Sequence, residues 1–521
     1  MWKPGVRARE HPFTFRRIPT VFRLFIDKEG ALRRLIIIRM IIPLLIIPLL
    51  SPAAAPDFDT FFIPKTLRVD IYHAGNAVEE WITLDQIYEI QGWAGTRRHL
   101  LDPFNNGQYR LSVVDAASNT TIYTRGYSTL FGEYQTTGPA LEGVRRTFHE
   151  TLLIPCPKRP VYVRIHGRDR QNLLKHLVTF TIDPKSIDII QEPSAGDRVV
   201  KVRYQGDPAE HVDVVFVAEG YTEKEFGKFK KDLNRFADAL FSMEPYREYE
   251  KRFNLWGVFR ASAQSGVDEP RKQVFRNTAV NASFNAFHLE RYLLTEDNRT
   301  VKDLALQAPC DAVCVMVNSP RYGGGGIYNH YAVFTSDHSL SEPVFLHEFG
   351  HSFAGLADEY FSSEVTYNDF YPAGVEPLEP NITALLDPSH VKWFEYLTPG
   401  LEIPTDWGKD GIARIRSERD SLGKAMESDL REHARVDDEE RSAIRMRYEA
   451  RLDSMREAER ETEEAIRIRL AGKVGVFEGA GYSATGLYRP EIDCLMKGNS
   501  RREFCRVCRE AIRRMIDYYS R

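Results

Sequence analysis

Two histidines four residues apart, with a glutamate after the first, carry the most specific chemistry in the chain: His347-Glu348-Phe349-Gly350-His351 is an HExxH pattern. On a helix, positions i and i+4 share a face, so His347 and His351 can hold one zinc ion between them. Zinc makes water acidic near neutral pH, and Glu348 is placed to take the proton that water gives up. This is hydrolytic chemistry, suited to a peptide bond. A third donor should follow soon after the second histidine. The acids available there are Asp358 and Glu359, with Asp358 the preferred zinc ligand and Glu359 the alternative.

A helix must present these side chains. Ser339 and Glu342 stand three apart, the spacing of a capping box, and Pro343 falls in a first turn, where its missing N–H costs least. Phe345, Phe349, Phe353 and Leu356 recur at helical spacing and supply a buried face, and Gly355 is a natural stop. Upstream, strands and helices alternate: Val212–Ala218, Phe253–Ala261, Asp311–Asn318 and His330–Ser336 read as strands, and Thr222–Met243 as a helix. The glycine run ending in Gly324, Gly325 and Gly326 lacks the GK[ST] ending of a phosphate loop, which excludes nucleotide binding. It is read as a thin edge where an extended substrate backbone pairs as an added strand, or else as a plain turn.

The remaining chain divides by composition. With 43% hydrophobic and 28% charged residues and a net charge of −4, its 521 residues suit two or three folded domains and not a nucleic-acid coat. Residues 1–39 are rich in Arg and Lys, Met40–Leu50 is apolar, and Ser51–Ala55 is small. Together these read as a basic lead and signal peptide over 1–55, cleaved near Ala55, which implies export, secreted, periplasmic or at the cell envelope; a retained membrane anchor is the alternative. Residues 58–185 alternate short strands with turns, as in a β-sandwich, and none of them is assigned to chemistry. Residues 408–472 are charged, with Leu422, Met426, Leu430, Ile444, Tyr448, Leu452 and Met455 at spacings of three and four. They are expected to form an inserted helical hairpin joined near Val436, a coiled-coil stalk able to self-associate or meet a partner. Cys494, Cys505 and Cys508 could hold a metal, act in redox chemistry or form a disulfide; a bond from Cys494 to Cys505 or Cys508 is the simplest reading for an exported chain.

The segments VFVAEGYTEKEF, HEFGHSFAGLADEY, VFEGAGY, LYRPEIDCLM and FCRVC resemble the IgA-peptidase family of zinc metallopeptidases, metallopeptidase family 64, in the metzincin branch. The β-rich segment resembles the N-terminal domain that accompanies it. The resemblance implies an α+β chain: an N-terminal β-sandwich, then a metzincin-like α/β zinc-peptidase domain over 205–407 and 473–521, carrying the 408–472 insertion, which departs from the family pattern. It implies His347, His351 and Asp358 as ligands of one catalytic zinc, Glu348 as base, and Met496 as a methionine turn beneath the metal. Tyr482 and Tyr488, near that turn in sequence, are candidates to steady an oxyanion. The expected activity is that of a secreted or envelope-associated zinc endopeptidase acting on protein or peptide. The competing reading is a catalytically silent scaffold that binds protein or glycan through the sandwich and stalk.

Overall fold

The computed structural model describes residues 55–191, 196–361, 370–433, 438–498 and 503–520. The basic lead, the apolar run Met40–Leu50 and the hairpin joint near Val436 lie outside them. Among the described residues, no helix is long and apolar enough to cross a membrane.

The N-terminal part is built from β1 (Phe62–Gly75), β2 (Glu80–Gln91), β3 (Tyr109–Asp115), β4 (Thr121–Tyr127), β5 (Arg146–Pro157), β6 (Val161–Arg168), β7 (Leu174–Ile182) and β8 (Ile190–Gln191). They make two four-stranded sheets, ordered β5-β1-β2-β8 and β4-β3-β6-β7. Leu67, Val69 and Ile71 of β1 share one buried core with Leu111 and Val113 of β3 and Val163 and Ile165 of β6. Alternate residues of each strand point to the same side, and burying them there removes apolar surface from water at about 25 cal/mol per Å². Strand β2 was not foreseen. Its apolar residues are half-buried or, at Trp81 and Leu84, exposed, and they alternate irregularly, so no clear period marks it.

A mixed six-stranded sheet follows, made of β9 (Arg198–Arg203), β10 (Val212–Glu219), β11 (Phe253–Phe259), β12 (Ala312–Val317), β13 (Gly324–Ile327) and β14 (Tyr331–Thr335). The order is β13-β14-β12-β10-β11-β9, with β14, β12, β10 and β11 parallel and an antiparallel strand at each edge. Every residue of the central β10 is buried, which is why VDVVFVA reads as an unbroken apolar run. Helix α1 (Phe226–Phe241) packs Phe229, Leu233, Phe236 and Leu240 inward, and α2 (Asn298–Ala305) meets the N-terminal sheets. There Arg68 of β1 donates to Asp303 at 2.5 Å, and Asn298 donates to Thr151 at 3.0 Å.

Helix α3 (Ser341–Ala354) carries the histidines. Phe345, Phe349 and Phe353 are buried along one side, and truncating one to alanine would cost about 3–5 kcal/mol. Gly355 ends the helix at φ 62°, ψ 36°, where a β-carbon is unfavourable. The expected capping box is not formed. The helix begins after Leu340 with no side-chain cap; Ser341 Oγ instead accepts from His338 N–H at 3.0 Å, and Glu342 faces Arg235 at 3.4 Å.

Two long helices follow, α4 (Lys409–Glu432) and α5 (Asp438–Leu470), about 36 and 50 Å long at about 1.5 Å per residue. They run antiparallel. Arg416 meets Glu459 near the base, and Tyr448 donates to Asp429 at 2.6 Å further out. Ile444 and Leu452 are buried as the spacing predicts, whereas Met446 is exposed. The pair is rooted by Trp407, Ile412, Ile466 and Leu470, and the chain closes with β15 (Phe477–Ala480), β16 (Ser483–Arg489) and α6 (Arg506–Ser520).

Candidate active site

Three donor atoms converge at the C-terminal end of α3. His347 Nε2 and His351 Nε2 lie 3.1 Å apart, and Asp358 Oδ1 is 3.0 Å from the first and 3.4 Å from the second. Three ligands each about 2.0–2.1 Å from a tetrahedral zinc would stand about 3.3 Å from one another. The triangle therefore has the size of a zinc face. Asp358 Oδ1 is buried and accepts no hydrogen bond, so a cation is the partner it lacks.

The backbone fixes which ring nitrogen points inward. His347 Nδ1 meets the Leu495 carbonyl at 3.0 Å, and His351 Nδ1 meets the Leu356 carbonyl at 2.6 Å. Each Nδ1 must then hold a proton, leaving the Nε2 lone pairs toward Asp358. The turn containing Leu495 also holds Met496, fully buried; a β-carbon on Gly350 would come within 3.0 Å of its sulfur. Glycine at the fourth place of HEFGH thus lets the turn pack directly beneath the helix.

Electrostatics follow from enclosure. Burial resists charge on His351, yet Asp358 outweighs it and raises the imidazole pKa to about 9; His347 moves up for the same pair of reasons. Burial raises the Glu348 carboxyl, partly offset by the two histidines. Asp358 is pulled well below the carboxylate range because both imidazoles outweigh its burial. Because the imidazole pKa is raised, a divalent ion entering between these donors would compete with a proton.

The other predicted residues are distributed as follows. Glu348 groups with His347 and His351 and lines the cleft. Tyr482 donates its hydroxyl to Asp358 Oδ2 at 2.5 Å, while Tyr488 pairs its backbone with Thr383 and is not among the residues lining the cleft. Gly324–Gly326 form the edge strand β13. A β-carbon on Gly324 would meet Glu348 Oε1 at 2.7 Å, and one on Gly326 the Glu348 carbonyl at 2.3 Å, so the glycines are thin because α3 stands immediately behind them. Glu359 turns away from the cleft, where its Oε1 accepts from Asn381 at 3.0 Å. The expected disulfide is not formed: Cys494 and Cys508 sulfurs are 3.7 Å apart, and Cys494, Cys505 and Cys508 are free thiols.

The cleft, about 830 Å³, has a second wall that sequence reasoning left without a role. Glu80, Gln108, Tyr109, Glu133 and Arg168 of the N-terminal sheets and their loops line it opposite α3. Glu133 accepts from the Tyr292 hydroxyl at 2.6 Å, joining the two walls. Arg291 and Tyr360 also border the cleft and act electrostatically on Glu348 and Asp358. Nothing in one linear sequence marks residues so far apart as neighbours. No described residue of α4 or α5 lines the cleft.

Two family models match the chain. Residues 200–516, more than half of it, match the one described as IgA Peptidase M64, and residues 57–179 match the one described as Peptidase M64 N-terminus. No curated protein matches.

Proposed function

The chain belongs to the IgA peptidase M64 family, whose membership implies metallopeptidase activity, and on that premise we propose a zinc endopeptidase in which Glu348 is the general base. The observation that carries the reading is the triangle of His347 Nε2, His351 Nε2 and Asp358 Oδ1, sized for zinc, with both Nδ1 atoms committed to backbone carbonyls. Zinc held by these three residues would leave a position open to the cleft and supply Lewis acidity toward a carbonyl and a water.

Glu348 takes a proton from the attacking water and returns it to the leaving amine. Its raised pKa brings it nearer the working range of such a shuttle. Tyr482 has one hydroxyl proton, and here it is engaged by Asp358 Oδ2. The geometry therefore favours Tyr482 as the residue that holds the ligand carboxylate in orientation, with oxyanion service requiring that bond to break. Gly324 already bridges to Tyr292 and accepts from Leu293 N–H at 3.3 Å, so the part of the β13 edge beyond it would receive the substrate backbone as an added strand. In this reading the N-terminal β-sandwich is part of the cleft of a metzincin-like enzyme, and the inserted hairpin stands outside it. Export after cleavage near Ala55 is part of the proposal, and the substrate is proposed only as protein or peptide.

The test is cleavage of a mixed protein and peptide library by the chain from residue 56, beside Glu348→Ala, with zinc measured in both. Cutting by the unaltered chain alone is the expected result. Zinc in both with no cutting by either would favour the silent binding scaffold.

A further inference from the structure

Behind the cleft lies a sealed cluster that the peptidase reading leaves without a role. Cys494, Cys505, Cys508 and Glu359 each offer a ligand atom, all within 4.8 Å of one another, and the residues are 2%, 3%, 0% and 0% exposed. Three thiols alone would make a poor zinc site. The fold adds the fourth donor from the residue next to Asp358, a member that the spacing of the cysteines does not reveal.

We propose that Cys494, Cys505, Cys508 and Glu359 bind a structural zinc ion, distinct from the ion of the cleft. Two sulfurs each about 2.3 Å from a tetrahedral zinc stand about 3.8 Å apart. Cys494 and Cys508 are 3.7 Å apart, while Glu359 Oε1 is 3.2 Å from Cys508 Sγ and 3.8 Å from Cys505 Sγ. A disulfide would need about 2.05 Å, so the present spacing matches the edge of a metal polyhedron better than a bond.

Three independent features prepare the site for a cation. Glu359 is held by Asn381 on Oε1, yet its Oε2 is fully buried with no hydrogen-bond partner. The sulfurs receive backbone N–H groups: Cys505 N and Met496 N point to Cys494 Sγ at 3.3 and 3.5 Å, and Cys508 N points to Cys505 Sγ at 3.4 Å. Such donors suit thiolates, which zinc binding creates by releasing the thiol protons to solvent. Cys505 and Cys508 also sit at the N-terminal end of α6, where the helix dipole favours negative sulfur. Arg489, fully buried, and Lys497, half-buried at the cleft, act electrostatically on Glu359 and offset part of the negative charge that three thiolates and a carboxylate bring.

The site is closed by four protein donors, which suits an ion that holds structure rather than one that admits substrate. What it holds is visible in the backbone. Glu359 N–H donates to the Met496 carbonyl at 2.8 Å, and the neighbouring Leu495 carbonyl orients His347. The ion would tie the segment bearing Asp358, the turn under α3 and the last helix into one unit.

The test is zinc content with X-ray absorption at the zinc edge, on the full chain and on a His347→Ala/His351→Ala variant that removes the cleft ligands. The expected result is a second equivalent of zinc in the full chain, one equivalent kept by the variant, and sulfur scatterers at about 2.3 Å. Should the variant fail to fold, the unaltered chain still decides, because the cleft offers only nitrogen and oxygen. Absence of zinc–sulfur scattering, together with mapping that finds a Cys494–Cys508 disulfide or three alkylatable thiols, overturns the proposal. Neither readout depends on peptide cleavage, so this site and the peptidase reading stand or fall separately.

Discussion

Asp358 and Glu359 are consecutive, yet the first stands beside two imidazoles at the floor of a cleft and the second enters a sealed pocket of three thiols. The two clusters differ in donor count and in access. Three donors with one side open leave room for a substrate, and four enclosed donors leave none. They differ in support too: the cleft triangle is oriented by backbone carbonyls accepting from imidazole, the thiol cluster by backbone N–H groups donating to sulfur. Each arrangement suits the charge its ligands carry when bound. What the contrast teaches is that the reach of a metal site is decided by which way a residue leaves the chain after the helix stops at Gly355.

The comparison can be broken most sharply at the cleft. Glu348→Ala should lower kcat about 10²- to 10⁴-fold with zinc content unchanged, since the base is lost and the ligands are not. A parallel loss of zinc would show that Glu348 acts as a ligand instead. Asp358→Ala should release the cleft ion and abolish cleavage, whereas Glu359→Gln should reduce cleavage by a smaller factor and register chiefly as a lower melting temperature. Equal losses in both variants would erase the division between the two clusters.

The raised imidazole pKa in the cleft triangle gives a test with a definite sign. Because Asp358 outweighs burial and raises His351 to about 9, zinc entering the depleted protein must displace a proton at any lower pH. Affinity for zinc should therefore rise with pH, by about tenfold per unit for one proton displaced, and level off above about pH 9. Competition against a zinc indicator at several pH values measures it, and a flat profile would remove the histidine–acid pair from the site. Tyr482→Phe should cost about tenfold in zinc affinity or turnover, the scale of one support to a ligand. Smallest of all, excising 417–458 with a short connection should leave peptide turnover within about twofold, since no described residue of the helical pair lines the cleft.

Much of this was legible in the residues. HExxH on a helix ending at Gly355, the phenylalanine face, the buried strand VDVVFVA and the charged helical pair all follow from spacing, because each is local. Asp358 was reachable by the same route. Glu359 as a thiol partner was not, because its neighbours come from a turn and a helix more than a hundred residues later. The Ser339–Glu342 cap failed because the helix starts two residues after Ser339, with Leu340 at the N-cap, and Glu342 faces Arg235 of another helix instead. The wall from Glu80 to Arg168 stayed hidden for a similar reason: its residues read as ordinary strand and turn polarity, and only the docking of β1 and β5 against α2 brings them across from α3.

That wall bears on where the chain can be divided. A fragment beginning at residue 200 would span the peptidase match and retain His347, Glu348, His351 and Asp358. It would also expose the apolar and charged surface on which β1 and β5 rest, and open one flank of the groove to bulk water. The boundary between the two matched segments therefore does not divide the lining of the cleft, which draws on both.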